Sequence, residues 1–449
     1  MINAMNSFSH PFPSRQTRIG FHYFPDTYHY RESDLQAFLP ELAAMGASWL
    51  VLKSGIDRAI PEYFIQGLVQ KGIEPIIQFD FSISHPPTPG ECAMLFEAYA
   101  RWGVHGIILF DRPNARSSYP AAGWAQQDLV ERFIDSMLPL SLAALQSGLI
   151  PIFPPLEPGG SYWDTAFLRG SLESLERRKQ NLLLQNLVLS TYSWTREKPL
   201  NWGAGGPLCW PSARPYLITP QSQDQQGFRI FDWYQAIAQA VLNRSVPIIV
   251  LEAGVQSDPH KTEFPAGNPD IHPDIVTGII KLLSGKPIMD PLAPQHAMNP
   301  MPPEVLVCNF WLLAADPNSP FASQAWLQPK TPFEKTIQSV KQVVQELIQD
   351  PSARLLVDPE HPIQHYLLIP TYDWGVADWH LEIIRPFVKK YRPVIGFSLE
   401  EASLAHEVTV IGNTHSFTEE QLNHLRNSGC KVRRISGDGM SIASQLLER

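Results

Sequence analysis

The feature that most constrains the fold is the alternation of short apolar runs with longer amphipathic runs through residue 348. The apolar runs are rich in Val, Ile, Leu and Phe. The amphipathic runs carry apolar residues at helical spacing, as at Leu35, Phe38, Leu39 and Leu42. Continuous apolar strands that alternate with helices are typical of a parallel sheet buried on both faces.

Eight such units predict a closed barrel. The predicted strands are Arg18–Phe24, Ser48–Lys53, Ile73–Asp80, Val104–Asp111, Leu149–Phe153, Leu187–Tyr192, Val246–Glu252 and Val305–Leu312. A strand that is followed by a helix and repeated eight times is the pattern of the (β/α)8 TIM barrel, here enlarged by loops.

The segment after the barrel predicts a second, smaller α/β domain of Rossmann-like type. Its predicted strands are Tyr366–Tyr372, Val394–Phe397, Val408–Ile411 and Val432–Ile435, with helices at Trp379–Lys390 and Thr418–Ser428. Pro, Asp and Ser cluster between Pro351 and His361, as they do in linkers. We therefore predict a barrel domain of residues 1–350 and a small domain of residues 351–449.

Composition restricts the partners. With 44% hydrophobic and 18% charged residues the chain is globular, and its net charge of -9 offers no cationic surface for nucleic acid or anionic membranes. Met1–Ser14 lacks the cationic and apolar segments of a secretory signal, and the four cysteines are widely spaced. We expect a cytoplasmic protein with reduced thiols, and the oligomeric state is left open.

Charged residues follow two of the predicted strands. Glu252 ends the seventh strand, and Asp111, Arg112 and Asn114 come at and after the end of the fourth. The carboxyl ends of the strands of such a barrel meet at one mouth, where active sites are built. The sequence therefore predicts that the Glu252 carboxylate meets the Arg112 guanidinium at this mouth.

The runs Pro247–Gly254 and Phe110–Asn114 resemble the nucleophile strand and the acid/base strand of the clan A glycoside hydrolases. The resemblance covers roughly residues 18–348 and implies that Glu252 is a nucleophile or a principal sugar anchor. It also places Arg112 where the family keeps its proton-donating Glu. Arginine cannot donate that proton because its pKa lies above about 12.

Three other carboxylates are candidates for the missing acid, namely Asp111, Glu157 and Asp80. Asp111 would need a bulge, because adjacent side chains of a strand point to opposite faces. Glu157 lies in the loop after strand five, and Asp80 ends strand three. Retaining glycosidases hold their two carboxyl groups about 5 to 5.5 Å apart, and inverting ones about 6.5 to 9.5 Å apart.

Arg112 leaves three interpretations open. The first is a hydrolase with a substitute acid. The second is a sugar-binding or modified-chemistry barrel, in which Arg112 lowers the pKa of Glu252 and holds it ionised. The third is a structural ion pair at an unused mouth, since a fold does not imply a function.

The remaining residues of the predicted binding site lie at strand ends or in the loops that follow. They are His22, Lys53, Gln78, Tyr192, Trp194, Trp202, Asn309 and Trp311. We expect Tyr192 to orient Glu252, the side chains of Asn114 and Asn309 to bind hydroxyls, and the three tryptophans to stack on sugar rings. The expected ligand is a small molecule or an oligosaccharide.

Acidic and His residues also cluster at Asp258, His260, Asp270, His272 and Asp274, but their spacing matches no metal-ligand motif. We therefore predict neither a metal nor a cofactor.

Within the small domain, Val408–Thr414, Phe417–Leu422 and Val432–Asp438 are similar to one unit of the cell-wall-binding repeat type 2 family. Gly439 and Met440 replace the Arg-Tyr pair of that repeat. The resemblance implies binding of anionic wall polymers. Because no export signal is predicted, we expect instead a role with glycan precursors, a regulatory role, or a module packed on the barrel.

Overall fold

The computed structural model describes residues 12, 17–213, 223–255, 271–329, 331–350, 353, 363–372, 375, 377–391 and 393–447. The chain divides into two compact units, Met1–Leu355 and Leu356–Arg449. Nearly all of Met1–Ser14, where the sequence predicts no secretory signal, lies outside the described residues. Most of the predicted linker between Pro351 and His361 lies outside them as well.

The strands of the first unit are β1 Ile19–His22, β2 Trp49–Lys53, β3 Glu74–Gln78, β4 Gly106–Ile108, β5 Ile150–Phe153, β6 Val188–Trp194, β7 Ile248–Gly254, β8 Ile288–Asp290, β9 Ala293–Met298 and β10 Val305–Phe310. All but β8 and β9 form a closed parallel barrel in the order β1-β10-β7-β6-β5-β4-β3-β2. The predicted (β/α)8 TIM barrel is confirmed.

The helices of this unit are α1 Glu32–Ala44, α2 Glu62–Gln70, α3 Pro89–Arg101, α4 Ala121–Trp124, α5 Leu129–Gln146, α6 Asp164–Arg177, α7 Asn181–Gln185, α8 Gly206–Cys209, α9 Ile230–Leu242, α10 His272–Leu283 and α11 Glu334–Gln349, with 3-10 turns at Arg116–Ser118 and Ala322–Gln324. No described helix is both long and apolar enough to span a bilayer.

Helix α3 illustrates how the sequence specifies these elements. The Thr88 hydroxyl accepts from the Glu91 amide while the Glu91 carboxylate accepts from the Thr88 amide, so that a capping box starts the helix. Cys92, Leu95, Phe96 and Tyr99 then recur at three- and four-residue spacing and are buried. Full burial of an aliphatic or aromatic side chain contributes about 1.5 to 3 kcal/mol, so this face supplies most of the stability of the helix.

The elements differ from prediction in two places. The sequence predicts one helix over Trp124–Gln146 and one over Asp164–Gln185. Each of these runs is interrupted in the structure, at Asp128 and at Lys179, whose backbones lie in the left-handed region at φ 57° and 55°. In addition, β8 and β9 form an antiparallel hairpin. Frequent prolines concealed this hairpin, because proline cannot donate a backbone hydrogen bond to a ladder.

Apolar side chains fill the barrel interior. They are Phe12, Trp49, Val51, Ile76, Ile108, Ile150, Ile152, Val188, Tyr192, Trp194, Ile249, Leu251, Leu306 and Val307. Neighbouring positions such as Leu50 and Leu52 belong instead to the core shared with the helices, as strand alternation requires. The Phe12 ring lies 5.5 Å from the Trp49 ring, and a Cβ on Gly106 would come within 2.7 Å of it.

Gly20 of β1 leaves room for a polar side chain inside the barrel. A Cβ at this position would lie 2.1 Å from Asn309 Oδ1 and 2.9 Å from the Trp49 Cβ. We expect Gly20→Ala to lower the free energy of unfolding by about 1 to 3 kcal/mol, because a packed interior cannot absorb the added methyl group. Urea unfolding measures this effect.

The matched control is Gly90→Ala in the first turn of α3, where a Cβ would have no neighbour within 4 Å. Its free energy of unfolding should stay level or rise by up to about 1 kcal/mol. Equal behaviour of the two variants would contradict the close approach of Asn309 to β1.

The second unit is a parallel sheet in the order β12-β11-β13-β14, and it confirms the α/β class predicted for this part of the chain. Its elements are β11 Ile363–Leu368, α12 Asp378–Tyr391, β12 Val394–Gly396, α13 Leu399–Ala402, β13 Ala405–Ile411, α14 Glu419–Asn427, β14 Lys431–Ile435 and α15 Gly439–Leu447. Leu422 and Leu425 of α14 pack in one apolar cluster, while Ile384 of α12 and Ile442 of α15 pack in another.

Candidate active site

Glu252 lies near the carboxyl end of β7, where it pairs in register with Tyr192 of β6. The register of the two strands shifts between Thr191 and Tyr192. Leu251 and Ala253 are buried, whereas Glu252 is only partly buried. The carboxylate is therefore neither sealed in the barrel wall nor placed at the opposite end of the barrel, and it faces the mouth formed by the strand ends.

The surroundings of Glu252 favour its protonated form. The pKa of Glu252 is raised to about 7, chiefly by burial and also by nearby Asp111, while the Trp194 hydrogen bond and the charges of Arg112 and Lys53 oppose the rise. Trp194 Nε1 donates to Glu252 Oε2 at 2.9 Å. In the part of the chain that the structure describes, no basic side chain forms a salt bridge with this carboxylate. Burial without a paired cation among the described residues thus favours the protonated form of Glu252.

Asp111 has the opposite environment. Tyr192 Oη donates to Asp111 Oδ1 at 2.6 Å, and Arg112 Nε donates to Oδ2 at 2.8 Å. Burial and the neighbouring carboxylates raise the pKa of Tyr192 well above its ordinary value of 10, so the phenol keeps its proton and remains a donor. One oxygen of this carboxylate thus accepts from a guanidinium and the other from a phenol, and both hydrogen bonds stabilise its negative charge.

The contacts of Tyr192 differ from those expected. The sequence suggested that Tyr192 orients Glu252, but its hydroxyl binds Asp111, and the donor to Glu252 is Trp194. The two rings stack with centroids 4.6 Å apart and planes 9° apart, so the two donors are held side by side. No strand bulge is needed to bring in Asp111, because β4 already ends at Ile108 and Asp111 lies in the turn beyond it.

Arg112 lies between two carboxylates, and neither is Glu252. Its Nη1 atom is 3.4 Å from Glu157 Oε2, in addition to the Asp111 contact, and Arg196 Nη2 is 3.6 Å from Glu157 Oε1. Burial raises the pKa of Glu157, and the two arginines oppose that rise. The charges alternate in sign along Asp111, Arg112, Glu157 and Arg196, so each is partly compensated.

Asn114 supports the loop that carries Glu157. Its Nδ2 atom donates to the carbonyls of Glu157 and Tyr162, each at 2.9 Å, and its Oδ1 accepts from the Glu157 amide at 2.8 Å. The side chain is fully buried. Backbone groups thus use the polar atoms that were expected to bind sugar hydroxyls, and Asn114 positions Glu157.

Arg196 is a site residue that the sequence did not reveal. It donates to the Pro158 carbonyl at 3.1 Å and to the Gln226 side chain, and its backbone is in the left-handed region at φ 48°. The sequence feature that could have identified it is its position two residues beyond Trp194, which ends a barrel strand. Arg196 ties the loop after β6 to the loop after β5.

The three predicted stacking tryptophans have different surroundings. Trp194 is only 5% exposed, since Tyr192 covers one face and the Arg196 guanidinium lies 5.8 Å from the ring centre. Trp202 donates to the Asp224 carbonyl at 3.0 Å, which anchors its loop. Trp311 is partly exposed, and its Nε1 donates to Gln324 at 2.7 Å.

Three polar side chains form the floor of the mouth. His22 Nε2 donates to the Leu251 carbonyl at 2.7 Å, and burial lowers the pKa of His22 to about 3, so the ring is neutral. Asn309 Nδ2 donates to the Val250 carbonyl at 2.9 Å. Asn309 Oδ1 and Gln78 Oε1 are buried without a partner among the described residues.

A separate ion pair stands at the ends of β2 and β3. Lys53 Nζ lies 2.9 Å and 2.8 Å from the two carboxylate oxygens of Asp80. The Asp80 side chain is 56% exposed, whereas that of Lys53 is 16% exposed. The Asp80 carboxylate is thus paired with a lysine. Among the candidate acids, Asp111 is the one that is linked to Glu252, through the Tyr192 and Trp194 rings.

The described residues contain no group of three or more His, Cys, Asp or Glu side chains placed to hold a metal ion. Three members of the acidic and His cluster in the sequence, Asp258, His260 and Asp270, lie outside them.

Comparison with known proteins leaves the family open. No protein-family model matches the chain, and no curated protein matches it. Solved structures are similar to it at low identity. One is Saccharomyces cerevisiae Gas2p in complex with laminaritetraose and laminaripentaose, at 8% identity and TM-score 0.42, covering 74% of this chain and 64% of that one.

Two further structures are similar over different lengths. The tandem GH20 catalytic modules of the pneumococcal exo-β-D-N-acetylglucosaminidase StrH match at 12% identity and TM-score 0.39, over 96% of this chain and 98% of that one. An L-ribulose 3-epimerase matches at 12% identity and TM-score 0.34, over 59% of this chain and 77% of that one. A functional assignment for this chain therefore depends on its own site residues.

Proposed function

We propose that the protein binds a glycoside at the barrel mouth and hydrolyses it, with Asp111 and Glu252 as the two carboxyl groups of the reaction. One observation carries the proposal. The stacked Tyr192 and Trp194 rings place one hydrogen bond on each carboxyl group, so that both are held at the same mouth.

The two carboxyl groups also differ as glycoside hydrolysis requires. One group must donate a proton while the other is ionised, and environments that separate two acids in this way identify them as an acid and a base. Glu252 lies in a desolvated position without a salt bridge among the described residues, and Asp111 binds a cation. Glu157 is a weaker candidate, because among the described residues its carboxylate pairs with Arg112 and Arg196 and neither pair links it to Glu252.

Other groups at the mouth fit a sugar ligand. Trp311 supplies a partly exposed ring that can pack on the apolar face of a pyranose. The Lys53 and Asp80 pair supplies donors and acceptors for hydroxyls at the opposite side of the strand ends. The buried oxygens of Gln78 and Asn309 add acceptors to the floor below.

A panel of phenyl, 2,4-dinitrophenyl and disaccharide glycosides of common hexoses, pentoses and N-acetylhexosamines tests the proposal. Wild type should release the leaving group from at least one member. The double variant Asp111→Asn, Glu252→Gln should lose this activity, because neither carboxyl group remains. The control Glu97→Gln, an exposed position on α3, should keep it.

The second candidate is a sugar-binding protein without turnover. The observation that favours it is the position of Arg112, which is paired with Asp111 and Glu157 at the site of the family's proton donor. Sugar binding by calorimetry, without turnover of any panel member and lost in the double variant, would support this candidate. Absence of both binding and turnover would refute both functions.

A further inference from the structure

We infer that Glu252 is the proton donor of this reaction and that Asp111 is its ionised carboxylate. This assignment reverses the roles implied by the resemblance to clan A glycoside hydrolases, in which the carboxylate of strand seven attacks the sugar. It rests on the proposed function, since it gives separate catalytic roles to the two carboxyl groups that were proposed to carry out hydrolysis.

The contacts of the two carboxyl groups support the reversal. Both oxygens of Asp111 accept hydrogen bonds, one from a phenol and one from a guanidinium. Only Oε2 of Glu252 accepts a hydrogen bond from a described side chain, that of Trp194. A proton can therefore reside on Glu252 Oε1, whereas a proton on Asp111 would oppose the ion pair with Arg112.

The groups around Glu252 preserve its proton. From β6, Trp194 and the neutral phenol of Tyr192 face it. From β1, the His22 ring binds the carbonyl of Leu251 and is neutral near pH 7. The charges that act on Glu252 are Asp111, which favours the protonated form, and Arg112 and Lys53, which oppose it less strongly than burial favours it.

As the bond between the anomeric carbon and the glycosidic oxygen breaks, its electron pair stays on that oxygen, which takes the proton of Glu252 and leaves as an alcohol. Asp111 supplies the new bond in one of two ways. It attacks the anomeric carbon directly, or it takes a proton from a water molecule whose oxygen bonds to that carbon. After direct attack, the Glu252 carboxylate takes a proton from a water molecule whose oxygen bonds to the anomeric carbon, the bond from that carbon to Asp111 breaks, and both carboxyl groups return to their starting states. After attack by water, Asp111 gives its proton to solvent and Glu252 takes one from solvent.

Two substrates of the same sugar test the assignment. A phenyl glycoside needs a proton on its leaving oxygen, whereas a 2,4-dinitrophenyl glycoside leaves without one. We expect Glu252→Gln to lower kcat/KM for the phenyl glycoside by about 10²- to 10⁴-fold, and for the dinitrophenyl glycoside by less than about tenfold. Asp111→Asn should lower both by more than about 100-fold, because the new bond is lost with either substrate.

The pH dependence gives an independent readout. For wild type and the phenyl glycoside, kcat/KM should fall as the pH rises through about 7, the pKa of Glu252, because the proton donor is lost. This basic limb should be absent for Glu252→Gln acting on the dinitrophenyl glycoside.

The outcomes separate the two levels of the proposal. The assignment of roles is overturned if Glu252→Gln loses activity toward both substrates equally. It is also overturned if Asp111→Asn, and not Glu252→Gln, keeps its activity toward the dinitrophenyl glycoside. In either case hydrolysis at this mouth stands. If wild type turns over neither class of substrate with any sugar, hydrolysis itself fails, and the assignment fails with it. Circular dichroism of both variants confirms that each comparison is made on folded protein.

Discussion

At pH 8.5 the free energy of unfolding of Glu252→Gln is expected to exceed that of wild type by up to about 3 kcal/mol, whereas at pH 4 the two values should differ little. Glutamine has the size of glutamic acid, and its Oε1 can still accept the Trp194 hydrogen bond. It differs because it needs no deprotonation, so the variant avoids the cost of a desolvated charge.

The sign follows from proton linkage. The pKa of Glu252 is about 7 in the folded protein and 4.5 for the free side chain, so the folded state binds this proton more tightly than the unfolded state. The stabilisation from this proton is complete below about pH 4.5 and is lost as the pH rises through about 7. Solvent screening at the partly exposed carboxylate makes about 3 kcal/mol an upper value.

Urea unfolding of wild type and Glu252→Gln at pH 4, 6 and 8.5 measures the effect. The control is again Glu97→Gln, which should change the free energy of unfolding by less than about 0.5 kcal/mol at each pH. A stability difference between Glu252→Gln and wild type that does not change with pH would show that Glu252 is solvated and ionised throughout. It would also remove the electrostatic support for Glu252 as a proton donor.

For Tyr192→Phe, we expect kcat/KM toward a phenyl glycoside to fall by about 100-fold. The variant loses the 2.6 Å hydrogen bond to Asp111 Oδ1 but keeps the aromatic ring that stacks on Trp194. The donor to Glu252 is therefore preserved, and the loss should come from Asp111 alone.

The matched control for this substitution is Tyr99→Phe, which also removes one buried hydroxyl but lies on α3, where it contacts Ser54 and the Ile60 amide. Its stability should fall by about 1 kcal/mol while kcat/KM changes less than about twofold. If Tyr192→Phe retains the wild-type rate, Asp111 does not depend on the phenol, and the link between the two carboxyl groups has no catalytic role.

The barrel could be predicted from the sequence because its main signal is local. Runs such as Val246–Leu251 have no polar face, and the helices between such runs are amphipathic, so periodicity alone identifies buried parallel strands. The same reasoning located Glu252 at the mouth. It located Asp111 as well, but assigned it to a longer fourth strand than the one that forms.

The roles of individual site residues were less predictable, because their partners are distant in sequence. Asn114 binds the backbone of a loop more than 40 positions away, and Tyr192 binds Asp111 across 81 positions. Sequence position shows that such side chains reach the mouth, but not which atoms they meet there. Arg196 escaped notice for the same reason, since its partners are the Glu157 carboxylate and the Pro158 carbonyl.

The buried Phe12 ring, packed against Gly106 and Trp49, has a kinetic consequence. Together with the other apolar side chains of the interior it fills the axis of the barrel, so a ligand reaches the strand ends from the mouth and not along that axis. A substrate and the sugar released from it must then pass through the same opening. A sugar released by the proposed hydrolysis and still bound at the strand ends blocks the next molecule, so product inhibition should be competitive.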